Sequence, residues 1–322
     1  MKHQHRTFVA TATAAALVLL GGCGTGDDAA AGGGSSSAGP ALAVVATTPE
    51  VADFVRTIGG SAVAVTQIIK PNVDPHDYEP TPADLKAIGD AKLVVKNGVG
   101  LEEWLDQTIE SAGFKGSVVD SSQGVTLREG GHEEEEGEHA DEEHDPHIWH
   151  NPQNAKIMVT NIEKGLAAAD PARATAFAGN LTTYAAKLDQ LDAGNEAAFA
   201  KIPAGQRKLV TNHDAFGYYV DRYKLQFVRS VIPSLDTSAE LSARQLTDLV
   251  AKIKATGTKA IFTESSLPPK SAEAIAQQAG VKVIGGADAL YGDSLGAAGT
   301  PQATYLGAEQ HNTQVIAAAL AG

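Results

Sequence analysis

From Ala41 onward, short apolar segments alternate with single helical ones, and this alternation is the strongest constraint on the fold. "ALAVVAT" (41–47) reads as a buried strand, "PEVADFVRTIGG" (49–60) as a helix closed by glycine, and "AVAVTQII" (62–69) as a second strand. "TPADLKAIGD" (81–90) starts a helix with Thr81 as N-cap, Pro82 at the first helical position and Asp84 at the third. "KLVVKNG" (92–98) and "GSVVD" (116–120) are two further strands, and the helical "LEEWLDQTIESAG" (101–113) lies between them. Strands joined by single helices and apolar on both faces belong to a parallel sheet covered on both sides.

An acidic, His-rich insert at 129–145 interrupts the rhythm. Two helical stretches follow, 153–169 and 172–201, on either side of "DPAR". The second is Ala-rich, and a helix of ~30 residues spans ~45 Å, enough to run along two lobes. The alternation then resumes with strands "RKLVTN" (207–212), "LQFVRSVI" (225–232), "KAIFTE" (259–264) and "VKVIGG" (281–286). Helices "DAFGYYVDRY", "SARQLTDLVAKIKATG" and "KSAEAIAQQAG" separate them, and "ATYLGAEQHNTQVIAAALA" (303–321) closes the chain. The predicted fold class is α/β. It has two βα lobes, 41–170 and 202–322, each with a mainly parallel four-stranded sheet, bridged by one long helix at 171–201.

The first residues read as an address. Lys2 and Arg6 precede the apolar "FVATATAAALVLL" (8–20), which is too short for a typical membrane span and has the layout of a secretory signal. It ends in "LGGC", which resembles a bacterial lipobox and predicts signal removal after residue 22 and lipidation of Cys23, the single cysteine. "GTGDDAAAGGGSSSAGP" (24–40) then forms a polar tether, so 23–40 anchors a domain outside the cytoplasmic membrane. The net charge of −14 argues against nucleic acid and against charge-driven membrane contact, and for cations as ligands.

Ligands of open α/β sheets bind beyond the carboxyl ends of the strands. His76 in "KPNVDPHDYEPTP" follows the strand 63–69, and His213 in "LVTNHDAFGYY" follows 207–212. Asp293 in "LYGDSLG" comes shortly after 281–284, and His147 in "HDPHIWHNP" lies where the insert rejoins folded sequence. Two candidates from each half suit one ion in the cleft between lobes. Glu264 also follows a strand and is expected to be an outer acceptor for a metal-binding imidazole or a structural residue. His311, on the polar side of the last helix, is expected to be structural.

Four segments in register, "PHDYEPTPAD", "DPHIWHNPQNA", "TNHDAFGYY" and "GDSLGAAGTPQATYLG", resemble those of the zinc/manganese solute-binding lipoproteins that serve ABC importers. The resemblance runs from about Ala41 to the end and implies His76, His147, His213 and Asp293 as the ligand set. It also implies two lobes bridged by one long helix, a membrane permease as partner, attachment to the membrane through the N-terminal lipid, and a monomer. One departure is His150, where the family more often has an apolar residue, so that 150 competes with 147 for the ligand role. Within the family, His213 points to the zinc type, because manganese members typically carry Glu there. Three imidazoles and one carboxylate also favour zinc over manganese on chemical grounds.

His132, His139 and His144 stand among carboxylates in sequence too polar to fold alone, and are expected to capture zinc weakly near the cleft or to be merely solvated. The chain is expected not to be an enzyme, with no H-E-x-x-H helix and no nucleophile elbow. A manganese carrier, and more distantly a surface adhesin, are the alternative readings.

Overall fold

The computed structural model describes residues 39–129, 144–232, 234–237 and 241–321. Cys23, the signal, most of the tether, His132 and His139 lie outside the described residues. The first lobe runs β1 (Leu42–Ala46), α1 (Pro49–Gly59), β2 (Val63–Gln67), α2 (Pro82–Asp90), β3 (Leu93–Lys96), α3 (Leu105–Ser111) and β4 (Ser117–Asp120). Its strands are all parallel, in the order β2-β1-β3-β4. α4 (Pro152–Ala169) and the 27-residue α5 (Ala174–Ala200) follow. The second lobe runs β5 (Lys208–Thr211), α6 (Gly217–Tyr223), β6 (Gln226–Ser230), α7 (Ala243–Thr256), β7 (Ala260–Phe262), α8 (Lys270–Ala279) and β8 (Lys282–Ile284). This sheet repeats the same order, β6-β5-β7-β8, again parallel, and α9 (Tyr305–Ala321) completes the chain.

Local chemistry sets the helix ends. Thr81 Oγ accepts from the Asp84 N–H while the Asp84 carboxylate accepts from the Thr81 N–H, a reciprocal cap that starts α2. Ser242 and Gln245 do the same for α7, which ends on Gly257 in the left-handed region (φ 65°). α3 is shorter than the pattern 101–113 predicts. The buried Glu102 carboxylate turns inward, accepting from the Thr47 hydroxyl at 2.6 Å and from the N–H groups of Asn97 and Gly98 at 2.6 and 3.1 Å. The segment 101–104 is thereby held as a turn, and the helix starts only at Leu105.

Two helices join the lobes through their cores. Phe177, Tyr184, Leu188 and Leu191 of α5 pack in the first lobe's cluster with Phe54, Leu93, Trp149 and Ile162. Phe199, at the far end of α5, packs in the second lobe's cluster with Leu209, Phe216, Tyr219 and Leu290. α9 divides in the same way, with Tyr305 in the first cluster and Ile316 and Leu320 in the second. Each such side chain contributes roughly 1.5–3 kcal/mol by leaving water, so both helices are fixed at both ends. Asp192 on α5 also clasps the lobes, accepting from Gln153 Nε2 of α4 at 2.7 Å and from Arg222 of α6 at 2.9 and 2.7 Å.

In each sheet the strand order reverses beside the first strand, between β1 and β3 and between β5 and β7. Such a switch point leaves a crevice at the carboxyl ends of the strands, because the flanking loops run to opposite faces. His213 leaves β5 and Glu264 leaves β7 at the second crevice, while His76 lies on the β2–α2 loop of the first lobe.

Candidate metal centre

His147 is held by Asp145, two residues before it. The Asp145 carboxylate accepts both the His147 backbone N–H at 3.0 Å and the ring Nδ1–H at 2.8 Å, and its other oxygen faces Arg128 at 3.4 Å. The proton is therefore fixed on Nδ1, and the Nε2 lone pair of His147 points away from Asp145. His213 is oriented the opposite way round. Its Nε2 lies 2.7 Å from the Leu235 carbonyl, which can only accept, so Nε2 carries a proton and Nδ1 is the nitrogen that faces the centre. His76 is placed by its backbone N–H, which donates to Asp74 at 3.0 Å, and Asp74 in turn accepts from the Thr237 hydroxyl of the other lobe at 2.5 Å.

These three rings and Asp293 converge. His76 Nε2 stands 3.3 Å from His147 Nε2 and 3.5 Å from Asp293 Oδ2. Asp293 Oδ1 is 3.4 Å from His147 Nε2, and Asp293 Oδ2 is 3.3 Å from His213 Nδ1. All four ligand atoms fall within 4.8 Å of one another, the one such group among the described residues. A tetrahedral ion with bonds of about 2.0–2.2 Å sets its ligand atoms about 3.3–3.6 Å apart, and the four contacts above, at 3.3–3.5 Å, match that spacing. His213 Nδ1 and both Asp293 oxygens are buried with no hydrogen-bond partner, a costly arrangement for lone pairs unless a cation sits among them. The His76 side chain keeps 8% exposure and the other three keep none, so the route to the centre passes His76.

The electrostatics follow from burial and from these contacts. Burial alone would raise the Asp293 carboxyl, but the surrounding imidazoles, His213 foremost, hold it far below the usual carboxylate range. Burial keeps the His147 imidazole less basic than usual and so in its ligand form. For His213 burial acts the same way, yet Asp293 and Glu264 outweigh it and raise the ring well above its ordinary value. Glu264 itself is raised by burial.

The four residues taken from the strand-end loops are thus brought together, and His150 is not among them. His150 is fully buried, with Nδ1 2.7 Å from Glu309 Oε1 and its ring stacked on Phe216 at 4.5 Å. Glu264 lies beside the cluster, with Oε2 3.6 Å from His213 Nδ1. That nitrogen faces the centre, and the outer acceptor expected of Glu264 is supplied by the Leu235 carbonyl instead. Asp145, the partner that orients His147, went unread although the spacing Asp-x-His displays it. His144 pairs in a short antiparallel bridge with Glu129, away from the four-ligand group. His311 Nε2 lies 3.0 Å from the Ala289 carbonyl, a packing contact.

Contrary to the sequence reading, Gly292–Gly296 does carry the spacing G-x-S-x-G of a nucleophile elbow. The Ser294 hydroxyl accepts from the Asn72 N–H at 2.6 Å and faces the Leu295 carbonyl at 3.2 Å, in a loop well past β8. It bridges the lobes where an elbow would present a nucleophile to a histidine.

The family model described as "ZnuA: Zinc-uptake complex component A periplasmic" matches residues 44–319. The chain is 33% identical to the manganese-binding lipoprotein MntA of Bacillus subtilis (strain 168), covering 98% of this chain and 99% of that protein. It is 33% identical to the zinc-binding protein TroA of Treponema pallidum (strain Nichols), covering 86% and 88% respectively. The solved structure of periplasmic zinc-binding TroA from Treponema pallidum superposes with a TM-score of 0.79 at 31% identity, covering 87% of this chain and 99% of that one.

Proposed function

The chain belongs to the zinc-uptake complex component A family, and from that premise we propose that it is the extracytoplasmic metal-capturing component of an ABC importer. Its cargo is Zn²⁺, held by His76, His147, His213 and Asp293 and handed to a membrane permease. The observation that carries this reading is the convergence of three imidazole nitrogens and an unpartnered carboxylate within 4.8 Å of one another in a buried cleft. Three nitrogen ligands and no thiolate suit reversible zinc binding outside the cell. A lipid on Cys23 and the tether to residue 40 hold the carrier at the membrane as a monomer, with lobes 41–170 and 202–322 about the helix 171–201. The chain acts by binding and release, and no chemical step is assigned to it.

Manganese is the second reading, supported by the manganese-binding relative. Both Asp293 oxygens face imidazoles, which leaves room for a ligand sphere larger than four. A competition titration against Zn²⁺ and Mn²⁺ with a chelator decides. One tight zinc site, lost in His213→Ala and only weakly contested by Mn²⁺, is expected. Comparable or tighter Mn²⁺ binding would make this a manganese carrier.

Loading is expected to move loops more than lobes. α5, α9 and the Asp192 clasp cross the interface, and a wide hinge would break all three. A large rigid-body rotation between metal-free and loaded crystal structures would overturn this.

A further inference from the structure

We propose that Glu264 is a fifth metal ligand, recruited by oxygen-preferring ions such as Mn²⁺, and that it sets how far the site discriminates between those ions and Zn²⁺. The inference rests on the reading above that the cleft carries a divalent cation. Glu264 is 3% exposed, and neither of its carboxylate oxygens has a hydrogen-bond partner. Its Oε2 stands 3.6 Å from His213 Nδ1, the spacing of neighbouring ligand atoms around one ion. No hydrogen bond holds either carboxylate oxygen away from the centre.

The backbone is built to admit it. Glu264 lies two residues past β7, bridged in parallel to Leu290, so the chain carrying Asp293 runs alongside it. A Cβ on Gly292 would fall 1.8 Å from Glu264 Oε2, so glycine there clears the space the carboxylate occupies.

Charge gives an independent reason. Three neutral imidazoles and Asp293 alone would leave a bound dication with one uncompensated positive charge in a fully buried site, which is costly. Among the other buried carboxyls, Asp145 faces Arg128 and Glu309 faces His150. Glu50 is pushed up to about 8 by burial and is neutral at pH 7. Glu264 stands beside His213 with no hydrogen-bond partner of its own, and a carboxylate that close can both offset the charge and coordinate. Zn²⁺ is content with four ligands, whereas Mn²⁺ favours more oxygen donors.

The test is a chelator-competition titration of the full chain with Zn²⁺ and with Mn²⁺, in wild type, Glu264→Gln and Glu264→Asp. For Glu264→Gln the expected result is an Mn²⁺ affinity lowered by about 100-fold and a Zn²⁺ affinity lowered by about tenfold or less. Glu264→Asp should recover part of the Mn²⁺ loss, and it remains informative if the glutamine variant does not fold. Co²⁺ loading supplies a spectroscopic readout: visible bands should intensify in Glu264→Gln as coordination drops toward four. Equal weakening of both ions would reduce Glu264 to charge balance and overturn the proposal, as would no change in either. Tight wild-type zinc binding with an inert Glu264 would sink this inference alone, while no tight wild-type site would sink the carrier reading itself.

Discussion

In the first lobe β1 pairs with β2 at five positions and with β3 at three. In the second, β5 meets β7 at the single pair Thr211–Phe262, and its pairing with β6 shifts register between Leu209 and Val210. The two sheets have the same strand order, yet one is continuous and the other loosely joined at the crevice where His213 and Glu264 emerge. The outer support of the ligands differs as well. His147 leans on a carboxylate side chain backed by Arg128, and His213 leans on a backbone carbonyl of the loop at Leu235. The first lobe therefore supplies a preformed edge of the site, and the second supplies the part able to adjust around an ion.

The largest expected effect tests whether both halves are needed at all. Asp293 touches all three imidazoles, at 3.3–3.5 Å. Structural zinc sites are worth about 10–16 kcal/mol over four ligands, so losing one should weaken binding by about 100-fold or more. Asp293→Ala and His147→Ala should each reach that loss in a zinc titration; a near-normal affinity in either would remove that half from the site. The same titrations should show zinc affinity falling from pH 8 to pH 5, because each ligand imidazole must be bare to bind. His147, held less basic by burial, competes little with the ion, whereas the raised His213 must shed a proton to it. The net fall should be at least about tenfold, and a flat profile would refute the three-imidazole site.

A smaller effect separates the two modes of support. Asp145→Asn should lower zinc affinity about 10–100-fold by unfixing the His147 tautomer. No side-chain substitution removes the matching acceptor of His213, since Leu235 acts through its carbonyl. Leu235→Ala should therefore leave affinity closer to wild type than Asp145→Asn does. The reverse ranking would show that the second lobe's loop, not the first lobe's carboxylate, is the fixed element.

What could be read in the sequence follows the range of the interactions. Helix starts were legible where capping is local, as at Thr81–Asp84 and Ser242–Gln245, because the partners are three residues apart. The start of α3 departs from its sequence pattern because Glu102 answers to Thr47, 55 residues away. The four converging residues were legible because they lie in loops that follow strands or where the insert rejoins the fold, and because the four segments that carry them resemble one family. Their supports were legible only when local. Asp145 is two residues from His147, but Leu235 lies 22 residues from His213 and Glu309 lies 159 from His150. His150 competed with His147 in the sequence for that reason: only the distant Glu309 and Phe216 give it a buried place of its own.

Hydrogen exchange reads the two sheets separately. β7 and β8, three residues each, should exchange about tenfold faster than β1 and β3 in the metal-free protein, a difference of about 1.4 kcal/mol in local opening. Zinc should slow exchange in the segments after β5 and β7 more than in α5. Uniform protection across both lobes, or protection centred on α5, would favour a hinge over loop adjustment.

The smallest expected effect concerns the acidic insert. His144 begins the described chain after it and pairs with Glu129, so the insert leaves and rejoins the fold at one closed pair of positions. His147 takes its orientation from Asp145, and Asp145 from Arg128 and the Tyr218 hydroxyl, which donates to its carbonyl at 3.0 Å. Every one of these contacts lies outside residues 131–143. Removing those residues should therefore shift the affinity of the tight site by less than about threefold, the range expected of groups that share no partner. It should also abolish any additional weak zinc ions seen by calorimetry at high metal. Loss of the tight site in the deletion would mean that the insert supplies a ligand and that the cleft alone does not complete the centre.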